Sequence, residues 1–167
     1  MSCLGVLFSV DQITIELLKK TPSEEERADY VREILETNYF ENHQLWVAEL
    51  NKSWDALHRS LTDGKLAWDN GEFPLNQVIL GGEILCSNGD YIIVLKAQEQ
   101  IAAIATAVNQ VSEEQLRERY FRIDPEEYDD AVDEEDFAGT WAWFEDSKEF
   151  WQLAADENRS VLFTVDQ

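Results

Sequence analysis

The chain has 167 residues, 44% of them hydrophobic and 11% aromatic, which is enough apolar material for one compact domain with its own core and too much for a disordered chain. Thirteen Lys and Arg stand against 35 Asp and Glu, a formal net charge of -22, and a surface that negative repels phosphate backbones and anionic bilayers, so nucleic-acid and membrane binding are excluded as first hypotheses. Cys3 and Cys86 are the only cysteines, too few for the disulfide framework of a small secreted domain, and the expected compartment is the reducing cytoplasm.

Leu4 to Val10 is largely β-branched or aromatic and is cut off by Asp11, which predicts a buried strand rather than a secretory leader. Ile13, Leu17 and Leu18 follow at helical spacing and predict a helix over 12–20, ending before Pro22 because a residue preceding proline is disfavoured in a helix. Ser23 and Glu26 form a capping box, opening a second helix that is expected to run to about Asn38. Within Leu50 to Thr62, the side chains of Trp54, Leu57, His58 and Leu61 share one helical face, and Asp63-Gly64 closes that helix. Residues 65–76, with Asn70-Gly71 and Pro74, carry turn chemistry. Val78-Ile79-Leu80 and Glu83-Ile84-Leu85 flank Gly81-Gly82, a pattern that fits either a tight hairpin or a backbone that something else approaches closely.

After the turn Asn88-Gly89-Asp90, Tyr91 to Leu95 predicts a central strand, and 98–110 an amphipathic helix on Ile101, Ile104, Ala105 and Val108. Ser112 and Gln115 make a further capping box. Between Asp124 and Glu149 twelve acidic residues face Lys148 alone. A long helix over 134–156 puts Phe137, Trp141, Phe144 and Trp151 on one stripe, with Trp143 and Phe150 about 120° away from it. Ser160 to Val165 predicts a closing strand, and no apolar run reaches the roughly 20 residues that span a bilayer.

Five stretches carry a family likeness: Lys-Ser-Trp-Asp-Ala-Leu-His-Arg-Ser-Leu-Thr at 52–62, Pro-Leu-Asn-Gln-Val-Ile-Leu-Gly-Gly at 74–82, Leu-Arg-Glu-Arg-Tyr-Phe-Arg-Ile-Asp at 116–124, Thr-Trp-Ala-Trp-Phe at 140–144 and Ser-Val-Leu-Phe-Thr-Val-Asp-Gln at 160–167. With the glycine-containing first strand they span almost the whole chain, which resembles the YfbM-like family of bacterial proteins of unknown function. The resemblance implies an α+β domain and a bacterial cytoplasmic origin; with the predicted elements, the expectation is a single domain over 1–167 in which a small sheet including the N- and C-terminal strands packs against several helices. It brings no activity and no catalytic residues, and the acidic run at 129–136 lies outside the pattern relied on.

Candidate chemistry is sparse. Asp55 and His58 are three residues apart on one helix, a spacing that lets a carboxylate orient an imidazole as a general base; against this, His58 shares the apolar face of Trp54 and Leu61, as a core histidine does, and Asp55 has Arg59 at i+4 as a surface partner. Gly81 and Gly82 could offer their amides to an anion, but the pair lacks the Lys and Ser/Thr of a phosphate loop. His43 is the only other histidine and fits no zinc spacing, and the acidic run lacks the glycine and ligand spacing of a calcium loop, so no metal or cofactor is implied.

Two functional expectations follow. The first is a non-catalytic acidic interaction protein that binds and blocks a basic protein, an immunity-type inhibitor of a toxin being its concrete form, with Asp129, Asp130, Asp133, Glu134, Glu135 and Asp136 as the docking surface and Trp143 and Phe150 either as a second core contact, the default for such rings, or as interface anchors. The second is a small-ligand binder or enzyme with a pocket of Trp54, His58, Gly81 and Gly82, with His58 and Asp55 as the catalytic candidates.

Overall fold

The computed structural model describes residues 3–167. Its centre is an antiparallel sheet of β1 (Leu4–Val10), β2 (Val47–Asn51), β3 (Glu83–Cys86), β4 (Tyr91–Lys96) and β5 (Ser160–Asp166), in the order β2-β1-β5-β4-β3. The first and last strands pair along their full length, from Leu4 opposite Asp166 to Val10 opposite Ser160. The fold is α+β, as expected from the sequence.

Helices cover both faces of the sheet, and this explains the nearly continuous apolar runs of β1, β4 and β5: alternate residues enter different cores, and both sets are buried. Val6, Phe8 and Val10 of β1 meet α1 (Gln12–Lys20), α2 (Glu24–Tyr30) and α3 (Glu36–Asn42). Leu7 and, from β5, Val161, Phe163 and Val165 meet α4 (Trp54–Leu61), α5 (Gln98–Gln110), α6 (Glu113–Tyr120) and α7 (Glu134–Asp156).

The helix starts follow local chemistry. Ser23 accepts from the Glu26 amide, Ser112 and Gln115 form the complete reciprocal box, and Asp133 caps α7 by accepting from the Asp136 amide. The second predicted helix continues to Asn42 rather than Asn38, and a π-turn at Val31–Leu35 joins α2 to α3. Such a turn shifts the face presented afterwards. Here it lets Val31, Leu35 and Tyr39 enter the core and sets Glu36 beside the sheet.

Two other expectations are corrected. Leu50 lies in β2 rather than at the start of a helix; the strand is five residues long and its Ala48 and Leu50 face the core in strict alternation. Val78 to Leu80 is buried turn following the 3-10 segment Leu75–Gln77, so Gly81-Gly82 is not a hairpin. An added Cβ on Gly81 overlaps the Asn76 carbonyl and one on Gly82 overlaps the Leu95 carbonyl. The close-approach alternative holds. Gly5 has the same reason to be glycine, since a Cβ there lies 2.8 Å from that of Trp54.

Candidate functional site

His58, Leu80, Gly81 and the last residue of β4, Lys96, come together as a closed knot. The imidazole is 1% exposed. The Leu80 amide donates to Nδ1 at 3.4 Å, so Nε2 carries the proton and donates to Asn70 Oδ1 at 2.7 Å. Asn70 Nδ2 in turn faces Thr62 Oγ1, Asp63 Oδ1 and the Lys65 carbonyl. Burial holds the His58 pKa below its ordinary value, and nearby Lys96 acts in the same direction. The Lys96 amine is 0% exposed and donates to the carbonyls of Ile79 and Gly81; burial pushes its pKa well down.

This arrangement corrects the expected pocket. The Gly81 amide donates to the Asn76 carbonyl at 3.0 Å and is not offered to an anion. His58, Gly81 and Gly82 line none of five surface clefts of about 260 to 460 Å³. A general base must reach the proton it removes; His58 has both ring nitrogens engaged inside the core. Trp54, buried and donating from Nε1 to the Cys3 carbonyl at 3.0 Å, lines two of the clefts from below.

Asp55 accepts from Arg59 Nε at 2.6 Å, but this is not the surface pair expected. Arg59 is 7% exposed and also donates to the carbonyls of Gly64 and Glu127, tying α4 to the acidic loop. Burial raises the Asp55 pKa more than Arg59 lowers it, with Asp129 adding to the rise.

Within the acidic run, several groups have structural tasks. Asp133 caps α7, Asp136 accepts from Tyr120 at 2.6 Å and Tyr128 at 2.9 Å, and Glu134 pairs with Arg117. Burial and the Asp136 charge raise the pKa of both tyrosines. Asp129, Asp130 and Glu135 are exposed and form no ion pair among the described residues. Asp129 and Asp130 line a cleft of about 460 Å³ with Asp55, Lys52 and Gln167, and Asp130, Asp133, Glu135 and Asp136 line its neighbour. No group of three or more His, Cys, Asp or Glu among the described residues is placed to hold a metal ion.

Of the two expected anchors, only Trp143 has surface to offer. Phe150 is 6% exposed and belongs to the core, because α7 packs against α5 on one side and β2 on the other and buries a wider arc than one contact needs. Trp143, half-buried, stands at the β2 edge between two clefts.

One of these was not foreseen. At the rim of the sheet, where β1 begins, β2 and β5 end and β4 begins, a cleft of about 320 Å³ opens on the α1–α3 side. Tyr91 and Thr164 both donate to Oε1 of Glu36, with Thr164 at 3.2 Å. Burial raises the Glu36 pKa against the lowering effect of these hydroxyls, and raises that of Tyr91, reinforced by the Glu36 charge. The available signal in the sequence was Thr164, a polar residue inside the apolar run of β5; nothing marked Glu36 as its partner across 128 positions.

A model of the family described as Domain of unknown function (DUF1877) matches residues 1–164. The structure is similar to the crystal structure of a protein of unknown function, YfbM, from Escherichia coli, with a TM-score of 0.64 and 18% identity over 97% of this chain and 99% of that one. No curated protein matches. At that identity the likeness is one of fold.

Proposed function

The chain belongs to the DUF1877 family, and from that premise we propose that it is a non-catalytic interaction protein whose acidic rim docks a basic protein partner. The observation carrying this reading is the pair of adjoining clefts lined by Asp55, Asp129, Asp130, Asp133, Glu135 and Asp136, in which Lys52 is the only lysine or arginine among the described residues. Like charges held this close destabilise the folded chain, and an opposing basic surface relieves the repulsion and steers association. The chain's own cations do little there: Arg27, Lys96, Lys148 and Arg159 are spent on backbone carbonyls elsewhere. The concrete form proposed is an immunity-type inhibitor acting in the cytoplasm, which occludes a basic toxin and needs no chemistry of its own.

The test compares the protein with the variant Asp129→Lys, Asp130→Lys, Glu134→Lys, Glu135→Lys in capture from host lysate, followed by association kinetics with the captured protein. One stoichiometric basic protein, retained at low salt and binding the variant at least about tenfold more slowly, supports the reading. Equal capture by both forms, or equal association rates at low salt, overturns it.

A further inference from the structure

The geometry points to a cation site in the rim cleft: the hollow between α3, β2 and Trp143 takes a guanidinium or alkylammonium group carried on an apolar stem. This goes beyond the docking reading, because the cleft is on the opposite face of the sheet from Asp129 and Asp130 and is shaped for one group rather than for a surface.

Three features of different kinds meet there. The first is concavity: about 320 Å³ is the lower end of the range that holds small organic ligands. The second is charge. Glu36, Glu49 and Asp166 line the cleft, and among the described residues no lysine or arginine does. Both hydroxyl bonds to Glu36 end on Oε1, so Oε2 has no hydrogen-bond partner among the described residues. The third is an aromatic and apolar wall of Phe40, Tyr91, Trp143, Leu4 and Val6, against which an alkyl stem packs and a delocalised cation stacks.

Arg32 stands at the edge of the site. Its guanidinium is 4.6 Å from the centre of the Tyr91 ring and its charge favours the ionised Glu36, yet the two form no ion pair among the described residues. A carboxylate that is half-buried, hydrogen-bonded on one oxygen and unpaired on the other carries a desolvation cost that an entering cation offsets. An anion meets three carboxylates instead. Among the described residues no cluster of the kind a metal ion requires is formed.

The experiment is an amide and indole NMR titration of the full chain with n-butylguanidinium, with the neutral isostere n-butylurea as control. Saturable shifts are expected at Trp143, Tyr91 and Asp166 with the cation and not with the urea, weakened about tenfold by Glu36→Gln, which keeps an oxygen for Tyr91 and Thr164. Asp166→Asn, at an exposed strand end, gives a second loss that does not depend on the fold of α3. Equal response to urea and cation, or affinity unchanged in both variants, overturns the site.

A capped Gly-Arg-Gly peptide separates the sources of the group: tenfold tighter binding than n-butylguanidinium assigns it to a protein side chain, and equal binding assigns it to a free small cation. The fourfold Lys variant of the acidic run is expected to bind n-butylguanidinium within twofold of the parent, so loss of partner capture and loss of this site are read independently.

Discussion

The knot around His58 and the cleft around Glu36 are built from similar materials. Each places an ionisable side chain against a strand end, each desolvates it, and each supplies hydrogen bonds from elements distant in sequence. They differ in what is left over. At His58 both ring nitrogens are used and the ring is sealed, while Lys96 beside it is enclosed by the loop whose carbonyls it holds. At Glu36 one carboxylate oxygen remains unpaired beside a hollow. Polar residues inside a protein indicate a ligand only when the fold leaves both capacity and room; otherwise they are joints.

The largest expected effect follows from treating the knot as a joint. His58→Ala removes the ring, opens a void and leaves the Leu80 amide and Asn70 without their partner, which is expected to cost about 3 kcal/mol of stability by urea unfolding. n-Butylguanidinium binding to the folded fraction should be unchanged. A stable His58→Ala protein with altered ligand binding breaks the contrast between the two regions.

A smaller effect is set by pH. The ordinary pKa values of 6.5 for His58 and 10.5 for Lys96 are both lowered by burial. Below those values the unfolded chain takes up a proton that the native chain refuses, so stability falls as pH falls through each window and rises with pH, by up to about 1.4 kcal/mol per unit for each group. The Lys96→Met variant should lose the slope between about pH 8 and 9.5, below the ordinary tyrosine range, and keep the one below 6.5. An identical alkaline slope in both proteins means that Lys96 is charged in the fold and that the knot is less dry than its burial indicates.

The same contrast explains what was legible in the sequence. Helix starts were, because Ser23 and Ser112 accept from amides three residues away. The strands β1, β4 and β5 were, because burial on both faces makes them apolar throughout. β2 was not: five residues of alternation beside a single 3-10 turn are too short a signal. At the candidate sites, spacing brought His58 and Asp55 onto one helix but carried no information on access, which is decided by Asn70 and Leu80. Phe150 was ambiguous for a related reason, since periodicity finds one buried face and α7 has two neighbours. The cleft was invisible because Glu36 gains its meaning only from Tyr91 and Thr164 in two other strands, after a π-turn that has no sequence signature.

The smallest effect sharpens the comparison from the side of the cleft. Burial raises the Glu36 pKa above its ordinary 4.5, so between 4.5 and the raised value the native chain retains a proton that the unfolded chain has released, and stability falls as pH rises through that window. Glu36→Gln is neutral at every pH and still accepts from both hydroxyls. It is expected to match the parent near pH 4 and to exceed it in stability at pH 7, where the parent holds an incompletely compensated carboxylate. n-Butylguanidinium should narrow that gap, because it stabilises the parent more than a variant that binds it about tenfold more weakly. If Glu36→Gln is instead the less stable protein at pH 7, the two hydroxyls already satisfy the carboxylate, and the cleft is a second joint like the one at His58.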